Sequence, residues 1–227
     1  MISSGNLQKG CWIELCDDIK SRTDIRLAVI IGSSTNGLSL AAYIGHQMNI
    51  IQGWLSVGTR LESPNTDNRP SSADISLLVI HNISLPPDQF GGPYIGQLFS
   101  NCLNGSEHPY FADICHLEVS SHLLIDRDGE ITQFVPFDKR AWHAGVSEFE
   151  GHKNCNDFSI GIELEGSDNI AYTNIQYSVL AKVTTLILAD YPAITRERIV
   201  GHSDIAPGRK TDPGPAFDWL RYKKELS

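Results

Sequence analysis

A histidine, a lysine and an aspartate are gathered in one loop, Gly201-His202-Ser203-Asp204-Ile205-Ala206-Pro207-Gly208-Arg209-Lys210-Thr211-Asp212-Pro213-Gly214-Pro215. Proline fixes φ near about −65°, so the prolines of this loop lower the entropy lost in holding one shape. A neutral imidazole and a carboxylate suit a borderline cation such as Zn²⁺. If residues 210–212 run extended, Lys210 and Asp212 project to the same side, because strand side chains repeat every second residue. A metal ligand and an ammonium group then face one pocket.

A catalytic zinc ion takes three protein ligands and keeps a fourth position open, so the loop needs a partner from elsewhere. His81 ends the run Ile75-Ser76-Leu77-Leu78-Val79-Ile80-His81, whose aliphatic character predicts a strand buried on both faces. Asn82-Ile83-Ser84-Leu85-Pro86-Pro87 then breaks it, and the end of a buried strand is where mixed α/β folds place site residues. The third element, Phe158-Ser159-Ile160-Gly161-Ile162-Glu163-Leu164-Glu165-Gly166, alternates with period two. Ile160, Ile162 and Leu164 should face the core. The other face presents Glu163 and Glu165 beside Gly161, whose missing side chain leaves room for a ligand or another backbone. Glu163 is the candidate general base and acid, whereas Glu165 reads as a solvated residue on an outer face or, alternatively, as a residue supporting the site from behind. Asp204 reads as a turn cap, and His122 and His143 as supporting residues, not ligands.

Four segments, His81-Asn82-Ile83-Ser84-Leu85-Pro86-Pro87, Val135-Pro136-Phe137-Asp138-Lys139-Arg140-Ala141-Trp142-His143-Ala144-Gly145-Val146-Ser147, Asn156-Asp157-Phe158-Ser159-Ile160-Gly161-Ile162-Glu163-Leu164-Glu165-Gly166 and the loop from His202 to Phe217, resemble the N-acetylmuramoyl-L-alanine amidase family 2 in this order. That family shares its fold with peptidoglycan-recognition proteins, and the resemblance runs from about Met48 to the C-terminus. It implies that His81, His202 and Asp212 bind zinc, that Glu163 accepts a proton and that Lys210 stabilises the transition state. Members of the wider family commonly carry a cysteine as third ligand and a tyrosine before the histidine corresponding to His122. Asp212 and Ser121 stand there in this chain. Both departures resemble the branch that cleaves 1,6-anhydro-N-acetylmuramic acid from L-alanine in recycled muropeptides, a cytoplasmic reaction. Glu118 occupies a position where that branch leads one to expect arginine. An amidase of intact cell wall and a muropeptide-binding module without catalysis are the competing readings. A complete ligand set weighs against the second.

Composition sets outer bounds. The chain has 227 residues, 41% of them hydrophobic, and a net charge of −9, enough for one good core. The charge argues against sequence-independent binding to nucleic acid or anionic membrane, and no obligate protein partner is evident. An anionic muropeptide must then meet local cations such as Lys139, Arg140, Arg209 and Lys210. Cys11, Cys16, Cys102, Cys115 and Cys155 are scattered and read as free thiols of a reducing compartment. Residues 1–47 carry four basic and four acidic side chains and lie outside the resemblance. They read as a weakly ordered N-terminal extension or as the product of an upstream start, ahead of a zinc amidase domain over 48–227.

The elements that must position these residues alternate in type, which gives an α/β fold, a mixed central sheet flanked by helices; the specific amidase and peptidoglycan-recognition topology comes from the resemblance. The pattern predicts a helix over 94–103 and strands over 119–125 and 130–135, joined by a turn at Asp126-Arg127-Asp128-Gly129. Thr173-Asn174-Ile175-Gln176 predicts a capping box. The helix it opens should bury Ile175, Val179, Val183, Leu186 and Ile187 and stop near Tyr191-Pro192. A last helix over 216–226 should turn Phe217 and Leu220 inward.

Overall fold

The computed structural model of the chain describes residues 48–70 and 73–226. The expected extension over 1–47 lies outside the described residues, as do Cys11 and Cys16. Six strands form the main sheet: β1 (Thr59–Arg60), β2 (Leu77–Ile83), β3 (Leu123–Ile125), β4 (Ile131–Gln133), β5 (Ser159–Glu165) and β6 (Ile199–Gly201). Their spatial order is β6-β2-β5-β3-β4-β1. The central pairs β6/β2, β2/β5 and β5/β3 are parallel, β3/β4 is antiparallel, and β4/β1 is parallel again. The sheet is therefore mixed, as expected.

Strand β2 is apolar on both faces because both are covered. Leu78 and Ile80 join Ile160, Ile162, Leu164, Leu123 and Ile125 in the main core. Leu77 and Val79 pack on the opposite side with Ala144, Cys155 and Ile205. The strand continues two positions beyond His81, to Ile83. The β3/β4 hairpin forms where the turn residues place it. Asp126 Oδ1 accepts from the backbone N–H groups of Asp128 and Glu130, at 2.9 and 2.8 Å, and Gly129 supplies the positive φ. Both strands are shorter than predicted. Ser120 and Ser121 are buried but direct their hydroxyls to the carbonyls of Asn65 and Gly161.

Five helices flank the sheet among the described residues: α1 (Tyr94–Phe99), α2 (Pro109–Ile114), α3 (Asn174–Asp190), α4 (His202–Ile205) and α5 (Trp219–Glu225). Helix α1 stops short of residue 103, and Asn101 lies in the left-handed region with its side chain paired to Asn65. The capping box of α3 is present in both directions between Thr173 and Gln176. Its buried face is displaced from the apolar stripe read in the sequence, running through Gln176, Tyr177, Leu180, Ala181, Val183, Thr184 and Ile187. Two polar residues take core positions there because each finds a partner. Gln176 Nε2 donates to the carbonyl of Glu165, and Thr184 Oγ1 hydrogen-bonds the Tyr222 hydroxyl at 2.7 Å. Tyr222 thus occupies the inward position of α5, and Leu220 is 84% exposed. Phe217 is buried as expected.

Among the described residues no helix is long and apolar enough to cross a membrane. Cys115 and Cys155 are free thiols, as read from the sequence.

Candidate metal centre

Hydrogen bonding along the central strands places the site. Glu163 on β5 is the register partner of His81 on β2, and Gly201 on β6 is that of Ile80, so β6 delivers His202 immediately after its last residue. Asp204 Oδ2 accepts from the Gly201 N–H at 2.7 Å and turns the chain into α4. This is the capping role expected of it. The loop returns Asp212 beside His202, whose following residue Ser203 donates its N–H to the Asp212 carbonyl at 3.0 Å.

His81 Nδ1, His202 Nδ1 and Asp212 Oδ2 converge, with separations of 3.0, 3.0 and 3.1 Å. Among the described residues these three form the group able to hold a metal ion. Ligand atoms at 2.0–2.1 Å from a tetrahedral centre stand about 3.3 Å apart, so the set fits one zinc ion closely. The remaining ring nitrogens strengthen that fit. His202 Nε2 lies 3.0 Å from the carbonyl of Ala144, which can only accept, so this nitrogen carries the hydrogen and Nδ1 is bare in the neutral ring. Burial pushes the His81 imidazole down to about 4 against the pull of Asp212, which keeps it neutral. Burial opposes ionisation of Asp212, but the adjoining His202 and His81 rings outweigh it and hold the carboxyl well below its usual range. Two imidazole nitrogens and a carboxylate oxygen facing one another at these distances suit a cation between them.

The supporting histidines lie behind the ligands. His81 Nε2 is 2.9 Å from His143 Nδ1, and His143 Nε2 is 3.0 Å from Ser159 Oγ. The room at Gly161 is taken by this ring: an added Cβ would stand 2.6 Å from His143 Cγ and Nδ1. The expectation of space for a ligand or backbone is corrected accordingly. His122 Nδ1 accepts from the Gly161 N–H at 3.0 Å, and its Nε2 faces the Lys139 carbonyl.

Glu163 and Lys210 line the same cleft as the three ligands, together with Asn82, Trp142 and Asp168; its volume is about 470 Å³. Glu163 Oε2 is buried without a hydrogen-bond partner. Burial first, and the Asp212 charge second, raise its carboxyl well above the ordinary range, with Lys210 opposing. Glu165, read as solvated, is buried. Its oxygens accept from the N–H groups of Gly91 at 2.6 Å and Arg127 at 3.2 Å, bracing two loops. Of the four cations proposed to meet an anionic ligand, only Lys210 lines the cleft. Arg140 pairs with Asp67 and Asp157, Lys139 with Asn68, and Arg209 donates to the carbonyls of Ala144 and Val146. Glu118 is exposed and is not part of the cleft wall, although Leu117 and Val119 are.

A family model described as N-acetylmuramoyl-L-alanine amidase matches residues 71–215, a stretch containing all five site residues. The 1,6-anhydro-N-acetylmuramyl-L-alanine amidase AmpD of Salmonella typhimurium is 60% identical over 172 residues, covering 76% of this chain and 91% of that protein. The protein of the same name from Escherichia coli is 58% identical over 180 residues, covering 79% and 98%. A crystal structure of a Se-Met AmpD derivative superposes with a TM-score of 0.77 at 57% identity, covering 79% of this chain and 100% of that one.

Proposed function

The chain belongs to the N-acetylmuramoyl-L-alanine amidase family and hydrolyses the amide bond between 1,6-anhydro-N-acetylmuramic acid and L-alanine of muropeptides; we propose that it does so as a zinc enzyme, with His81, His202 and Asp212 holding the ion, Glu163 moving the proton and Lys210 stabilising the oxyanion. The observation that carries this reading is the convergence of three potential ligand atoms in the same cleft as a buried carboxylate oxygen that has no hydrogen-bond partner.

Bound there, zinc supplies a Lewis acid that polarises a carbonyl and brings the ionisation of water near neutral pH. Glu163 is placed to take the proton released as water attacks the scissile carbonyl. Its buried setting favours the protonated form once charged, so it can return that proton to the departing L-alanine nitrogen. The Lys210 ammonium group faces the charge that develops on the carbonyl oxygen. One such preorganised partner is worth about 3–4 kcal/mol of barrier. Leu98, Phe99, Ile114 and Leu117 contribute apolar surface to the cleft wall.

On this reading residues 48–227 are the zinc amidase domain and an anhydro-muropeptide is the partner. We place the enzyme in the cytoplasm on its substrate class. Cell fractionation with thiol trapping tests that placement. The function itself is tested by incubating the purified protein with anhydro-muropeptide and with intact sacculus, with and without a chelator. Release of free peptide from the small substrate, abolished by chelation and restored by zinc, is expected. Undiminished turnover in metal-free protein overturns the zinc reading.

A further inference from the structure

Both ligand histidines lean on the same two residues. His81 reaches the side chain of His143, and His202 reaches the backbone carbonyl of Ala144, the next residue in the chain. That dipeptide is fixed by a third group: Asn156 Oδ1 accepts from the backbone N–H of His143 at 3.1 Å and from that of Ala144 at 2.8 Å. One side-chain oxygen therefore holds two consecutive amides, which sets the direction of the peptide plane between them. That plane in turn aims the ring of His143 and the carbonyl of Ala144.

Two further contacts confine the dipeptide. Arg209 donates to the Ala144 carbonyl at 2.7 Å, filling the lone pair that His202 leaves free. The His143 ring is seated against Gly161, where no side chain larger than hydrogen fits. Asn156 itself is held in a short 3-10 turn, Cys155–Asp157, and its own carbonyl accepts from the half-buried Arg69 at 3.0 Å.

We propose that Asn156 is a positioning residue for the metal centre, touching neither ligand and fixing the tautomer and direction of both through the 143–144 dipeptide. The inference rests on the zinc reading above. Partners behind a metal-bound histidine fix which nitrogen is bare, and losing them costs about 10–100-fold in metal affinity.

The test measures zinc affinity by competition with a chelator of known strength, in wild type and in Asn156→Ala and Asn156→Asp, with urea unfolding of each metal-free protein as a control on the fold. Asn156→Asp keeps an acceptor oxygen at the same reach. The expected result is a loss of about 10–100-fold for Asn156→Ala with Asn156→Asp close to wild type, and a cobalt-substituted absorption band altered only in the alanine variant. Should Asn156→Ala fail to fold, His143→Leu and His143→Asn replace the pair, because asparagine retains an acceptor near the position of Nδ1 and leucine does not. Equal affinities across either pair overturn the proposal. A wild-type protein that binds no zinc overturns the zinc reading instead, and the two failures are thereby distinguished.

Discussion

His81 and Glu163 are register partners on neighbouring parallel strands. Paired positions on adjacent strands project to the same face of a sheet, so backbone hydrogen bonding alone sets the proposed metal ligand and the proposed proton-transfer carboxylate side by side. His202 and Asp212 are then added from the end of the next strand and from the loop that returns to it. The site is built on rigid sheet at one side and on a loop tied back by hydrogen bonds at the other.

Glu163→Gln preserves shape and removes the proton acceptor. Zinc content should be unchanged while kcat falls about 10²–10⁴-fold. Metal analysis alongside steady-state kinetics checks this, and a zinc-loaded glutamine variant with near wild-type kcat would remove Glu163 from the mechanism.

Lys210 and Asp212 lie two residues apart and should separate cleanly. Lys210→Ala is expected to keep zinc and lose roughly 10²–10³-fold in turnover, whereas Asp212→Ala should lose the metal as well. Equal zinc content in the two variants contradicts the ligand assignment.

At Gly161 a methyl group would stand 2.6 Å from the His143 ring. Overpacking of this kind costs about 1–3 kcal/mol, and the ring behind His81 must shift to relieve it. Gly161→Ala should therefore unfold at lower urea concentration and bind zinc more weakly. An unchanged midpoint together with unchanged affinity would show that the ring is not confined there.

Burial, followed by the nearby Arg69 guanidinium, pushes the His122 imidazole down to about 3, and burial lowers His143 in the same direction. The unfolded chain takes up these protons near pH about 6.5, and the folded chain does not until far lower. The stability they contribute is therefore complete above about pH 6.5 and is lost as pH falls toward about 3, at up to about 1.4 kcal/mol per pH unit for each group. Urea titrations of chelated protein at neutral and mildly acidic pH should show a lower midpoint in acid. A midpoint independent of pH across that window rules the account out.

The membership of the candidate site was legible in the sequence because it depends on residue types at short spacing. The period of two around Glu163, the continuous aliphatic run before His81 and the proline-stiffened loop carrying His202, Lys210 and Asp212 each report on local backbone geometry. The capping box at Thr173 and the turn at Gly129 are local in the same sense. Readings that depended on distant partners went astray. Glu165 looked solvated because nothing nearby in sequence reveals that the N–H groups of Gly91 and Arg127 reach it. Leu220 looked buried because Tyr222, its competitor for the inward position, finds its hydroxyl partner on Thr184 of another helix.

The sequence by itself determined which five side chains are the candidates for amide hydrolysis and that His81 and Glu163 lie on strands. Tertiary structure alone decided what stands behind them. It gave the room at Gly161 to His143, the Ala144 carbonyl to His202, and Lys139, Arg140 and Arg209 to partners of their own, leaving Lys210 for the cleft. The reason is that a donor, an acceptor or a vacant volume has no sequence signature until the fold chooses its neighbour.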